Sequence, residues 1–228
     1  MDKYLDLYRV PDYDFATFDR DMMVLDVGCG NGAQLEKLKA RGCRAIGIEP
    51  DGNRVDACKE RGISAMVGRA EKLPFEDATF DGVICKGVIP YTAPAAAFHE
   101  IARVLKPGAV AQFCYLSGGF YLRYLLLGPD RWLRYRLYGL RTLLNTWFFM
   151  ATNRVLPGFL GDTIYQSQSQ LRRYYKEYNF TLVQETPSKK FMGLPVFIYH
   201  TVRKNTSPSV PPAVLAEQEQ EEVAGSAA

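Results

Sequence analysis

The stretch Val24-Leu25-Asp26-Val27-Gly28-Cys29-Gly30-Asn31-Gly32 constrains this chain more than any other. An apolar run, Met22–Val27, stops at three closely spaced glycines. A helical pattern, Ala33–Arg41, follows at once with Leu35 and Leu38 on one face. Glycine admits the positive φ of a tight turn and lets a ligand approach the backbone closely. A buried strand that ends in glycines and opens a helix is the start of a βαβ unit.

The same rhythm continues downstream. Arg44–Ile48 reads as a strand, Asn53–Arg61 as a helix stopped by Gly62, and Ser64–Val67 as a third strand. Gly82–Cys85 makes a fourth strand. Pro94–Leu105 makes a helix ended by Lys106-Pro107-Gly108, and Ala109–Tyr115 a fifth strand. Strands alternating with helices of this length predict a parallel sheet covered on both faces. Residues 118–165 break the alternation with aromatic and arginine-rich helical spacing. Gln166–Tyr178 then predicts a helix, with Asn179 where a left-handed cap is wanted. Phe180–Glu185 and Val196–Val202 predict an antiparallel hairpin at one edge. From Asn205 the composition turns to Ser, Pro, Ala, Gln and Glu, which predicts a flexible tail over 205–228 behind a domain spanning 1–204.

Bulk properties narrow the function. With 228 residues and 47% hydrophobic content the chain suits one core. A net charge of +3, from 28 basic and 25 acidic residues, is too balanced to call for nucleic acid. Cys29, Cys43, Cys58, Cys85 and Cys114 show no CxxC spacing and read as free thiols; with two histidines only, no metal site is expected. The polar start and the lack of an eighteen-residue apolar run make a cytoplasmic location the expectation.

Gly28, Gly30 and Ala33 also satisfy the looser dinucleotide pattern GxGxx[GA], so the loop alone admits NAD. Asp26, two residues before the loop, would repel a pyrophosphate and suits a cationic ligand. Glu49 ends the second strand 23 residues later, where an acid can accept ribose hydroxyls.

Four segments in order, Val24–Gly32, Gly68-Arg69-Ala70-Glu71-Lys72-Leu73-Pro74-Phe75, Phe80-Asp81 and Glu100-Ile101-Ala102-Arg103-Val104-Leu105-Lys106-Pro107-Gly108, resemble the class I S-adenosylmethionine-dependent methyltransferases. The branch is the small-molecule one that includes the ubiquinone and menaquinone biosynthesis enzymes. The resemblance spans roughly residues 20–116, with a weaker match over 166–202. It implies a Rossmann-like, doubly wound, mostly parallel sheet of seven strands in the order 3-2-1-4-5-7-6, with a helical insert after the fifth. It also implies S-adenosylmethionine as cofactor and S-adenosylhomocysteine as product. Asp26, Gly28, Gly30 and Gly32 would hold the methionine part and Glu49 the ribose. Ala70 and Glu71 would lie against the adenine, and Lys86 and Gly87 would line the methyl-transfer side. Cys29 and Pro50 complete the expected cofactor set. Arg69 stands where the family commonly has Asp, so either Glu71 or a backbone carbonyl would meet the adenine amino group. Glu100–Gly108 reads as structural, and His99 as a packing residue.

Methyl transfer is a displacement at an activated sulfonium, so positioning supplies much of the acceleration. Related enzymes often carry histidines after the fourth strand; Pro90 and Tyr91 stand there instead. Tyr91 is therefore the candidate substrate contact, as a hydrogen-bond donor or an aromatic wall. The insert carries Arg123, Arg131, Arg134, Arg136, Arg141 and Arg154 against Asp130 and Asp162, a net +4. Phe120, Tyr121, Tyr124, Trp132, Tyr135, Tyr138, Trp147, Phe148 and Phe149 are interleaved. It reads as a lid for an apolar or lipid-like small molecule, as a peripheral membrane contact, or as a packing or dimer interface. A nucleic-acid partner is not expected, because Ile89-Pro90-Tyr91 is a poor substitute for the Asn/Asp-Pro-Pro-Tyr segment of amino-methylating enzymes. The alternatives from other classes are a cofactor-binding regulatory or scaffold member of the fold and an NAD-linked oxidoreductase.

Overall fold

The computed structural model describes residues 15, 17–127, 132–152 and 167–206. Five strands come first: β1 (Met23–Val27), β2 (Arg44–Glu49), β3 (Ala65–Val67), β4 (Phe80–Lys86) and β5 (Leu105–Leu116). Helices α1 (Ala33–Ala40), α2 (Gly52–Glu60) and α3 (Pro94–Val104) lie between them. Then come α4 (Gly118–Leu127), α5 (Trp132–Thr152) and α6 (Gln168–Glu177). The chain closes with β6 (Phe180–Pro187), β7 (Lys190–Phe191), β8 (Leu194–Pro195) and β9 (Phe197–Lys204).

The main sheet has seven strands in the order β3-β2-β1-β4-β5-β9-β6. β1 to β5 pair parallel, while β9 runs antiparallel to both β5 and β6. This is the expected order, with β9 as the seventh strand. The two-residue hairpin β7–β8 fills the loop between β6 and β9. Of the expected insert, 128–131 and 153–165 lie outside the described residues, as does the tail from 207.

Side-chain spacing accounts for the layers. Leu35 and Leu38 bury one side of α1, and Ala97, Phe98, Ile101 and Val104 bury one stripe of α3, the spacing a helix needs to present an apolar face to a sheet. α6 is capped by Ser167, whose side chain accepts from Gln170 N while Gln170 reaches back to the Ser167 backbone, a reciprocal capping box. Asn179 takes φ 62° after that helix, as the sequence predicts.

One expectation needs revision. Lys106-Pro107-Gly108 does not separate α3 from a strand starting at Ala109; α3 ends at Val104 and β5 begins at Leu105. Leu105 pairs with Phe80 and Val110 with Gly82, so the Lys-Pro-Gly segment is a bulge within the ladder. Gly108, at φ 79°, turns the backbone there. Lys106 is thereby held 2.6 Å from Asp81, which also accepts from Met23 N at 2.9 Å. The Lys106 hydrogen bond, first among several contributions, holds the Asp81 carboxyl below its ordinary value.

The antiparallel edge is locked by buried polar groups. Tyr175 on α6 bridges Tyr115 Oη at 2.8 Å and His200 Nδ1 at 2.7 Å. Nε2 of the same histidine lies 3.4 Å from Glu185. Burial lowers His200 to about 4, so the ring is neutral near pH 7.

Candidate functional site

The glycine loop folds back over the end of the neighbouring strand. Gly28 N and Cys29 N both donate to Ile48 O, at 2.7 and 3.1 Å. Gly28, Gly30 and Gly32 have φ of 73°, 55° and 78°, each in the left-handed region that costs other residues about 1–2 kcal/mol. Their surroundings differ. A Cβ on Gly28 would lie 2.2 Å from Val88 Cγ2, whereas one on Gly30 would meet nothing within 4 Å. A Cβ on Gly32 would press on Cys58 and Ile63, each at 3.0 Å.

Two buried carboxylates flank this loop. Glu49, at the end of β2, accepts from Gly30 N at 3.0 Å and Asp51 N at 3.3 Å. Arg54 lies 3.9 Å from it. An ionised carboxylate has about four acceptor positions, so Glu49 keeps capacity beyond these two amides. Asp26, only 2% exposed, sits mid-sheet between β2 and β4. Burial raises its carboxyl to about 7; Lys86 opposes that rise and Glu49 adds to it. A buried acid with so little compensating charge favours a cation beside it.

The third wall comes from the segment after β3. Gly28, Pro50, Ala70, Glu71, Val88 and Tyr91 line a small open cleft of about 80 Å³, narrower than the roughly 300–1,000 Å³ usual for small-ligand sites. Glu71 accepts from Ala93 N at 3.2 Å and lies 3.6 Å from Arg69. Its carboxylate is thus engaged with the segment after β4. Arg69 presents a largely exposed cation where the family pattern has an acceptor.

The Glu-Ile-Ala-Arg segment on α3 holds this wall in place. Leu73 N donates to Glu100 at 2.7 Å. Arg103 donates to Glu100, Asp77 and the carbonyls of Leu73 and Phe75, all between 2.7 and 3.0 Å. The Arg103 bond is the main reason the Glu100 carboxyl lies below its ordinary value. This supports the structural reading of Glu100–Gly108. His99 packs edge-on against Tyr178, with centroids 6.2 Å apart.

Not every expected residue presents its side chain to the cleft. Cys29 is packed with Leu35, Val55, Cys58 and Ile63; like Gly32 it offers only backbone. Lys86 is exposed at the end of β4, and Gly87, at φ 68°, donates to Cys114 O at 2.8 Å. Tyr91, on a short 3-10 turn, is 52% exposed and its hydroxyl lies 2.9 Å from Tyr138 Oη on α5. Sequence reasoning missed Tyr138 and Val88 as site residues. Tyr138 is one of many aromatics in the insert, and nothing local marks it as the one that meets Tyr91. All five cysteines are free and buried, and no group of three or more potential metal ligands occurs among the described residues.

Comparison with known proteins bears on this arrangement. Residues 25–113 match the family model described as a methyltransferase domain. An uncharacterized methyltransferase of Mycobacterium tuberculosis is 33% identical over 87 residues, 37% of this chain and 36% of that protein. A tRNA (carboxymethyluridine(34)-5-O)-methyltransferase of Xenopus tropicalis is 38% identical over 100 residues, 42% of this chain and 16% of the relative. A demethylmenaquinone methyltransferase of Corynebacterium kroppenstedtii is 33% identical over 95 residues, 41% and 42% of the two chains. The chain thus spans well under half the length of the curated relatives it matches. In fold, it is similar to the crystal structure of a SAM-dependent methyltransferase from Methanosarcina mazei, with TM-score 0.60 and 18% identity over 83% of this chain and 95% of that one.

Proposed function

The chain carries a class I, S-adenosylmethionine-dependent methyltransferase domain, and from that premise we propose that it moves a methyl group to a small hydrophobic or lipid-like acceptor held between the end of β4 and the insert. The observation that carries the donor half is the pair of buried carboxylates, Asp26 and Glu49, on either side of the glycine loop. In this reading Asp26 faces the cationic methionine end of the donor. The backbone of Gly28–Gly32 lies along it, and the remaining acceptor positions of Glu49 take the ribose hydroxyls. Pro50 and Ala70 flank the adenine. Because Glu71 already binds Ala93 N and Arg69, a backbone carbonyl is the better partner for the adenine amino group.

S-adenosylmethionine supplies an activated methyl, so the protein's task is to align the acceptor and exclude water. Lys86 and Gly87 stand at the end of β4, and Tyr91 at the mouth of the cleft. The Tyr91–Tyr138 contact is what supports the insert as the acceptor wall: it ties an aromatic helix to the cleft lining.

A nucleic-acid acceptor is the second reading. It is favoured by the tRNA methyltransferase among the relatives and by the net +4 of the insert. Transfer of labelled methyl to a panel of lipophilic quinols and phenols and to bulk tRNA separates the two. Product on RNA alone would replace the small-molecule reading, and S-adenosylhomocysteine binding without product on either favours the non-catalytic one.

The donor site is tested by calorimetric titration. Asp26→Ala and Glu49→Ala are each expected to weaken S-adenosylhomocysteine binding at least about tenfold, the scale of one lost charge-assisted contact. Binding of NAD without binding of S-adenosylhomocysteine would overturn the assignment.

A further inference from the structure

Helix α5 packs Tyr138 and Leu143 on the core, yet it also buries a polar stripe and exposes an apolar one. Its polar residues Thr142, Asn145 and Thr146 are buried, at 0%, 2% and 1% exposure. Its apolar residues Leu137, Leu140, Leu144 and Trp147 are 55%, 41%, 55% and 70% exposed. Spacings of three and four place these apolar side chains on one stripe. Leu126 and Leu127, at the end of α4, are exposed as well. Arg136 of α5 donates to Leu126 O at 3.4 Å, which joins the two helices at this face.

The charge carried by the two helices is of one sign. α4 and α5 contain Arg123, Arg134, Arg136 and Arg141, and no Asp or Glu. At 100° per residue Arg136 falls on one flank of the stripe and Arg141 on the other. The insert holds +4 in a chain whose total is +3. A leucine and tryptophan face bordered by arginines has the composition of a helix lying in a membrane interface: the apolar side chains enter the acyl boundary while the guanidinium groups reach headgroup phosphates. A two-fold contact between copies of this chain would set arginine flank against arginine flank, which charge disfavours. Crossing the bilayer is a different matter. No helix among the described residues is long and apolar enough for it.

We propose that the exposed stripe of α5, with the end of α4, docks this protein on an anionic lipid surface. Docking itself does not depend on the methyltransferase reading. Its consequence for acceptor delivery does: Tyr138, carried by the same helix, meets Tyr91 at the cleft, so a docked α5 would hold the mouth of the cleft beside the lipid phase.

The chain's two tryptophans, Trp132 and Trp147, both belong to α5. W132F therefore leaves Trp147, on the stripe, as the one tryptophan to excite selectively. The full chain is mixed with phosphatidylcholine vesicles, with or without about 30% phosphatidylglycerol. Expected are co-sedimentation at least about tenfold stronger with the anionic vesicles, a blue shift of Trp147, and reversal by salt. L140D combined with L144D, at exposed positions, is expected to weaken vesicle binding at least about tenfold while S-adenosylhomocysteine affinity and circular dichroism stay unchanged. Three outcomes overturn the proposal: no binding to either vesicle, equal binding to both, or a blue shift that appears without lipid as the protein dimerises. Failure of the unsubstituted chain to bind S-adenosylhomocysteine while it binds anionic vesicles would overturn the donor assignment instead.

Discussion

The proposed donor side of the cleft and the insert that meets it follow opposite rules. On the donor side each requirement falls on one atom or one backbone angle. Gly28 has a positive φ and no room for a Cβ, Glu49 accepts from Gly30 N, and Asp26 is a buried acid between two strands. In α4 and α5 the requirement is spread over a surface. Leu137, Leu140, Leu144 and Trp147 point outward and Thr142, Asn145 and Thr146 inward, and many apolar residues would serve the outward face equally. A site that must recognise one donor is fixed by geometry, whereas a surface that meets an acceptor or a lipid is set by composition. The comparison predicts that conservative single changes act strongly on the first region and weakly on the second.

The largest effect is expected at Gly28. Alanine there would be strained at φ 73° and would drive Val88 into the cleft that it lines. S-adenosylhomocysteine affinity is expected to fall about hundredfold, from left-handed strain together with a displaced β-branched neighbour. Gly30→Ala provides the internal control. It shares the positive φ but meets no protein atom within 4 Å, so in the free protein it should lose only the left-handed strain of about 1–2 kcal/mol in unfolding stability, less than Gly28→Ala. Equal losses in denaturant unfolding of the free protein would mean that backbone strain, and not the close approach of Val88, shapes the loop.

This contrast also governs what was legible in the sequence. The loop and both carboxylates could be read because glycine and buried acid are rare choices at strand ends, whereas the strand order came with the family resemblance. Lys106-Pro107-Gly108 was misread as a turn before β5 because a bulge depends on pairing with Phe80 and Gly82, 25 or more residues away in sequence. The chain from Tyr115 through Tyr175 to His200 joins residues separated by 60 and 25 positions, and no local pattern announces it. The same holds for Tyr138 against Tyr91, 47 positions apart. The aromatic and arginine content of 118–165 was visible, but which face is buried was not. Apolar residues lie on more than one side of this helix, and only the structure shows that Leu137, Leu140 and Leu144 face outward.

A smaller effect follows from the raised pKa of Asp26. In the free protein this carboxyl keeps its proton up to about pH 7, whereas in the unfolded chain it ionises near the ordinary 3.8. The native state therefore binds the extra proton between those values, and stability of the free protein declines as pH rises through that window before levelling off. A cationic donor needs the ionised form. Its affinity is expected to rise about tenfold from pH 6 to pH 8 and then to plateau, with the decline in stability offset when ligand is bound. Asp26→Asn should flatten the profile. A slope that survives this substitution would assign the titration to another group and remove Asp26 from the donor side.

The smallest effect lies at the join between the two regions. The hydroxyls of Tyr91 and Tyr138 are 2.9 Å apart and exposed, so the bond contributes about 0.5–1.5 kcal/mol at most. Tyr91→Phe is expected to raise the acceptor KM about threefold, with a smaller change in the affinity for S-adenosylhomocysteine. Tyr138→Phe should do the same, although it stands on a different helix. The double variant should then cost no more than either single one, because both remove the same contact. Additive losses would show that the tyrosines act separately, Tyr91 on the acceptor and Tyr138 on the packing of α5, and would detach the insert from the cleft.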